Sequence, residues 1–151
     1  MTRRQSGIGM GCMDHMHRWI TALVKNLDEY VDEKTRTEVL ENCGRSCISQ
    51  TLVEKARECR RSSKNVDEAL DKLHKVWRHF ERKGNSIEVT YERCYCPLVN
   101  KYPGNLPRTW CSCSKGWIKE LLEPVLGKPV NVLLEKSVKQ GDSICRFRIP
   151  L

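Results

Sequence analysis

Six cysteines stand in three close pairs: Cys43 and Cys47 around Gly44-Arg45-Ser46, Cys94 and Cys96 around Tyr95, and Cys111 and Cys113 around Ser112. Sulfur at such spacing does one of two things. As thiolate it ligates a soft or borderline metal ion, and as a low-pKa nucleophile it exchanges with disulfides or attacks an electrophile. If a strand runs into residues 94–96, alternation sets both sulfurs of that pair on one face. Cys111 and Cys113 stand just before a helix whose positive end lowers a thiol pKa, and Arg45 favours thiolate at the first pair. All six are therefore candidate metal ligands, with Arg45 and Trp110 as candidate ligand-binding residues beside them. Zinc is the first cofactor expected, because a borderline-soft ion suits thiolates. A tetrahedral zinc takes four ligands, which leaves two sulfurs over, and zinc pairs usually enclose two to four residues instead of one. An iron-sulfur cluster, which also takes four cysteines, is the alternative.

Other groups carry less. Cys59 falls on an apolar helical stripe, and Cys145 alternates with Phe147 and Ile149, so both read as small core residues. Cys12 sits in the N-terminal tail. His15 and His17 flank a helix start beside Asp14 and read as solvated. His74 and His79 have no carboxylate partner placed by the sequence. Trp19, Trp77 and Trp117 fall on helix stripes where packing explains them, whereas Trp110 stands in a cysteine loop.

The elements that must position these side chains follow from periodicity. From Asp14 to Glu33 apolar residues recur every three or four positions, the stripe of an amphipathic helix. A second helix is expected from Thr35, capped by its hydroxyl with Glu38 reaching back, and ended by Gly44. Cys47 to Arg60 forms a third. A fourth starts from a Ser63 or Asn65 cap and carries Val66, Ala69, Leu70, Leu73, Trp77 and Phe80 as far as Gly84. The period then falls to two at Ile87, Val89 and Tyr91, a half-buried strand. Pro97 to Arg108 is a loop. Ser114 is expected to cap a helix to Gly127, with Pro124 removing a donor near its end. Val130 to Val138 and Ser143 to Ile149 read as strands of a tight hairpin through Lys139-Gln140-Gly141-Asp142. This order implies an α+β fold with N-terminal helices packed on a small antiparallel sheet, then a C-terminal helix and hairpin. Residues 1–13 are expected as a flexible tail and 14–151 as one domain, helical over 14–84 and strand-helix-hairpin over 85–151.

Composition narrows the class. The 151 residues suit a single domain, and 39% apolar with 30% charged residues is a globular mixture. A formal charge of +8 invites acidic partners, yet Lys and Arg alternate with Glu and Asp along nearly every segment. Nucleic-acid binding needs cations gathered on one face or a recognised reading module, so it is not expected. No apolar run reaches the roughly 20 residues that span a bilayer. Arg3 and Arg4 lack a following apolar segment of an export signal. The nine cysteines are an odd number, which a closed set of intrachain disulfides cannot use up, and a reducing cytoplasmic setting is expected.

Taken together, Cys43-Gly44-Arg45-Ser46-Cys47, Cys94-Tyr95-Cys96-Pro97-Leu98-Val99, Trp110-Cys111-Ser112-Cys113-Ser114-Lys115-Gly116-Trp117 and Gly141 to Phe147 resemble an uncharacterised cysteine-rich prokaryotic family. The resemblance covers most of the chain after the tail and brings no established activity with it. The last third is more weakly similar to four-vinyl reductase domains and to aminothiazoline-carboxylate hydrolases. That likeness implies helices on one side of an antiparallel sheet, holding a small apolar or tetrapyrrole ligand or hydrolysing a small cyclic substrate. The paired cysteines depart from both groups. The function expected is a cysteine-rich metal- or small-ligand-binding domain acting as a sensor, with a metal ion or small molecule as partner and a homodimer admitted. The alternative is a hydrolase or thiol-dependent redox protein that uses one of the same cysteines.

Overall fold

The computed structural model describes residues 8–151. Four helices come first: α1 (Ile8–Tyr30), α2 (Glu33–Cys47), α3 (Gln50–Arg61) and α4 (Val66–Val76). They lead to β1 (Phe80–Arg82), β2 (Ser86–Tyr91), α5 (Ser112–Leu126), β3 (Leu133–Lys136) and β4 (Cys145–Pro150). Short 3-10 turns at Arg108–Cys111 and Val138–Gln140 precede α5 and β4. The expected α+β class holds. Part of the expected tail is helical, since α1 starts at Ile8, and the remainder lies outside the described residues.

The four strands pair antiparallel in the order β1-β2-β4-β3. Period-two alternation gives the sheet an apolar face of Phe80, Ile87, Val89, Phe147 and Ile149, each at most 3% exposed. Helices α3, α4 and α5 cover that face, with Leu70, Leu73, Ile118, Leu121 and Leu122 buried against it. The opposite face is charged and ties strands together through Lys83–Glu88, Arg146–Glu88 and Arg148–Glu135. A smaller apolar cluster joins Val24 of α1 to Val99, Leu106, Trp110 and Cys111. Along α1, Met16, Trp19, Leu23 and Tyr30 remain exposed. Among the described residues no helix is long and apolar enough to cross a membrane.

Several expected boundaries move, each for a physical reason. Asp32, not Thr35, caps α2 by accepting the Thr35 N–H at 3.0 Å. Gly44 does not end that helix. It lies inside α2 where α5 crosses, and a Cβ there would stand 1.8 Å from the Cys113 carbonyl oxygen. Gly116 on α5 meets the Glu41 carbonyl in the same way, also at 1.8 Å. The two glycines let the helix backbones touch, and Glu41–Lys119 and Arg45 with Glu120 and Glu123 clamp the crossing.

Asn65 caps α4 as expected, accepting the Glu68 N–H, but the helix stops at Val76. Phe80 is taken by the sheet, where it pairs with Val89, and Gly84, at φ 58°, turns β1 into β2. Helix α5 begins at Ser112, continuous with the preceding 3-10 turn and without a side-chain cap, so Ser114 has no capping role. It runs through Pro124 and closes at Gly127 in the left-handed region. The expected tight hairpin is looser. β3 is only four residues long, its register with β4 shifts between Leu134 and Lys136, and a 3-10 turn fills the connection.

Candidate ligand-binding site

Where the main core meets the smaller α1 cluster, a cavity of about 360 Å³ remains. Its back wall is the inner sheet face at Tyr91, Cys145 and Phe147. The first turn of α5 supplies Cys111, Cys113, Ser114 and Trp117, and the segment after β2 supplies Arg93 to Pro97. Trp110 comes from the 3-10 turn, Trp77 and His79 from the chain leaving α4, and Cys47 from the end of α2. Aromatic rings stand against one another around it: Trp77 and Trp117 with centroids 5.6 Å apart, His79 and Tyr91 at 5.0 Å, His79 and Tyr95 at 5.4 Å. The Arg93 guanidinium lies 5.0 Å over the Tyr95 ring.

Five of the six predicted sulfurs line this space, but not as two separate chelates. Helical geometry turns Cys111 and Cys113 apart. After burial, the groups that most oppose ionisation of Cys113 are Cys47 and Cys96, ahead of Cys43 and Cys111. Cys111 has Cys145 and then Cys94 in that role, and its Sγ lies 3.1 Å from Ser137 Oγ. Cys43 is exposed and lines none of the cavity. Arg45 also lies away from the lining, its guanidinium held at 3.0 and 2.8 Å by Glu120 and Glu123. Trp110 is buried and lines the cavity wall.

The expected lowering of the thiol pKa does not occur at the helix start. Burial pushes Cys111 up to about 11 and Cys113 up to about 12, and it raises Cys96 and Cys145 as well. Removing water from a thiolate outweighs the pull of a helix terminus. These thiols are neutral at physiological pH. As metal donors their chemistry fits a soft ion. Yet among the described residues no three His, Cys, Asp or Glu side chains are grouped to hold one metal ion.

Sequence reasoning missed several lining residues. Cys145, which alternation marks as a core residue, is buried, but at the end of the apolar sheet face, where the core gives way to the cavity. The signal lay in β2, whose inward positions Ile87, Val89 and Tyr91 lead to the same edge. The Tyr91 phenol is deeply surrounded, its pKa raised by burial and by Cys145, with no hydrogen bond affecting it. Lys139 is 7% exposed, donates from Nζ to the Tyr102 carbonyl oxygen and forms no ion pair among the described residues. Nothing in its local sequence marks it as buried.

The fold and this cavity define a small α+β domain with an internal, largely apolar site. The chain belongs to a family of unknown function (DUF6144), whose model matches residues 9–151. That match agrees with the resemblance carried by the three cysteine motifs, and it does not reach four-vinyl reductases or aminothiazoline-carboxylate hydrolases. No curated protein matches the chain. Among solved structures, a crystal structure of the phenol-responsive sensory domain of the transcription activator PoxR with phenol aligns over 89% of this chain and 73% of that one. The two share 14% sequence identity, with a TM-score of 0.48.

Proposed function

We propose that the domain is a binding module for a small apolar molecule, acting as a sensor, and that the cavity between sheet and α5 is its site. The observation that carries this reading is the cavity itself. About 360 Å³ of space is walled by aromatic rings and neutral thiols, without a single Asp or Glu among the described lining residues. Ligand sites for small organic molecules have this scale and this mixture of apolar walls with a few polar groups. Thiols held near 11 and 12 are poor nucleophiles at neutral pH, which favours binding over thiol catalysis. The nine unpaired cysteines suit a reducing, cytoplasmic setting.

The neutral fluorescent probe N-phenyl-1-naphthylamine tests the reading. It is expected to bind one per chain with a rise in emission, and Cys96→Trp, which fills the space from a partly exposed loop position, is expected to abolish the rise while the fold persists by circular dichroism. Probe emission that is absent, or unchanged by Cys96→Trp, contradicts it.

A second reading, a zinc or iron-sulfur site, is favoured by the convergence of Cys47, Cys94, Cys96, Cys111, Cys113 and Cys145 on one space. It requires side-chain rotation to close a ligand set. Stoichiometric metal in protein purified without a metal-affinity tag, lost on Cys96→Ser with Cys113→Ser, would establish it.

A further inference from the structure

Charge around the cavity is one-sided. Among the described residues its charged lining residues are Arg93 and Lys139, both cationic, and no carboxylate joins them in the wall. Lys139 is the more telling. A lysine whose residue as a whole is 7% exposed ordinarily finds a carboxylate, because burying an unpaired charge is costly. Among the described residues Lys139 Nζ has only the Tyr102 carbonyl oxygen as a partner, which satisfies one of its three donors. The nearest candidate in sequence, Asp142, instead accepts the Ser137 N–H at 2.8 Å and lies outside the lining. Arg93, two residues beyond Tyr91 on the segment that leaves β2, rests its guanidinium on Tyr95 and makes no hydrogen bond or ion pair among the described residues, so its fork can meet a planar anion.

Resting on the reading of this cavity as a ligand pocket, we propose that its ligand is a small carboxylic acid with an aromatic or otherwise apolar body, bound as the carboxylate. The rings of Trp77, Trp110, Trp117 and Phe147 take the apolar part. Lys139 supplies the buried counter-charge and Arg93 the accessible one. A neutral ligand would leave Lys139 uncompensated, and a basic ligand would add a third positive charge to the site.

Displacement of bound N-phenyl-1-naphthylamine by three probes of one skeleton tests this: 1-naphthoate, 1-naphthamide and 1-naphthylmethylamine. Naphthoate is expected to displace at a concentration at least about ten-fold below that of the amide, the effect of one well-formed charged hydrogen bond. Arg93→Gln, at an exposed position, is expected to erase most of that advantage of the acid over the amide. Lys139→Met, used where it folds, is expected to do the same. An amide or amine that matches the acid overturns the proposal, as does an acid preference that survives Arg93→Gln and Lys139→Met together. If the neutral probe does not bind at all, the pocket reading itself falls and this one with it.

Discussion

At Cys111 and Cys113 two influences on a thiol oppose each other. A helix start favours the thiolate, and this is visible in the order of residues. Burial favours the thiol, and it depends on what the rest of the chain brings to cover the sulfur. Burial wins, with Cys111 at about 11. A fold that prefers the protonated thiol is fully stabilised below the unfolded thiol pKa of about 8.5 and loses that stabilisation as pH rises toward 11. For Cys111 the difference is worth on the order of 3 kcal/mol. Urea unfolding of metal-free protein is therefore expected to show stability falling between about pH 8.5 and 11, and Cys111→Ser should lessen the fall while Cys113, Cys96 and Cys145 still contribute to it. A stability that holds constant over that range contradicts the burial argument. Arg45 teaches the same lesson from the other side. Beside two cysteines it reads as a thiolate partner, but the helix crossing gives it Glu120 and Glu123. Arg45→Ala is expected to cost about 1–2 kcal/mol in chemical denaturation, since those carboxylates are three-quarters buried, and to leave probe affinity unchanged.

Between elements, the contact of α2 with α5 sets the site, because it brings Cys47 to Cys113. Gly44 and Gly116 make that approach possible. In an isolated helix Gly44→Ala would help by about 1 kcal/mol. Here the new Cβ would meet the Cys113 carbonyl oxygen at 1.8 Å, so the helices must separate. The variant is expected to lose about 2 kcal/mol or more by urea denaturation and to weaken probe binding, while an equal or higher stability would show that the helices do not touch. The sequence marks Gly44 as special without saying why, since a stop signal and a close contact both call for glycine. The end of α4 was hidden for a similar reason. Trp77 and Phe80 continue a helical spacing, and only pairing of Phe80 with Val89 decides that the chain there is extended. Element types and order were legible because one-sided burial imprints periods of 3.6 and 2 on the chain.

At the scale of the molecule, the structure has two apolar clusters and a space between them. The α+β class could be read from the run of helices followed by alternating strands, and the three cysteine pairs led to five lining sulfurs. The space could not be read. Its wall is assembled from α2, the chain after α4, the end of β2, the start of α5 and β4, elements far apart in sequence, and Lys139 and Tyr91 become site residues only through that assembly. The cavity's position also supplies its own reporters. Trp77, Trp110 and Trp117 line it, while Trp19 stands 60% exposed on α1. The most direct measurement is a titration of 15N-tryptophan-labelled protein with N-phenyl-1-naphthylamine, following the four indole N–H resonances. Saturable shifts are expected at Trp77, Trp110 and Trp117, with Trp19 unmoved. Shifts confined to Trp19, or none at saturating probe, would contradict the pocket reading.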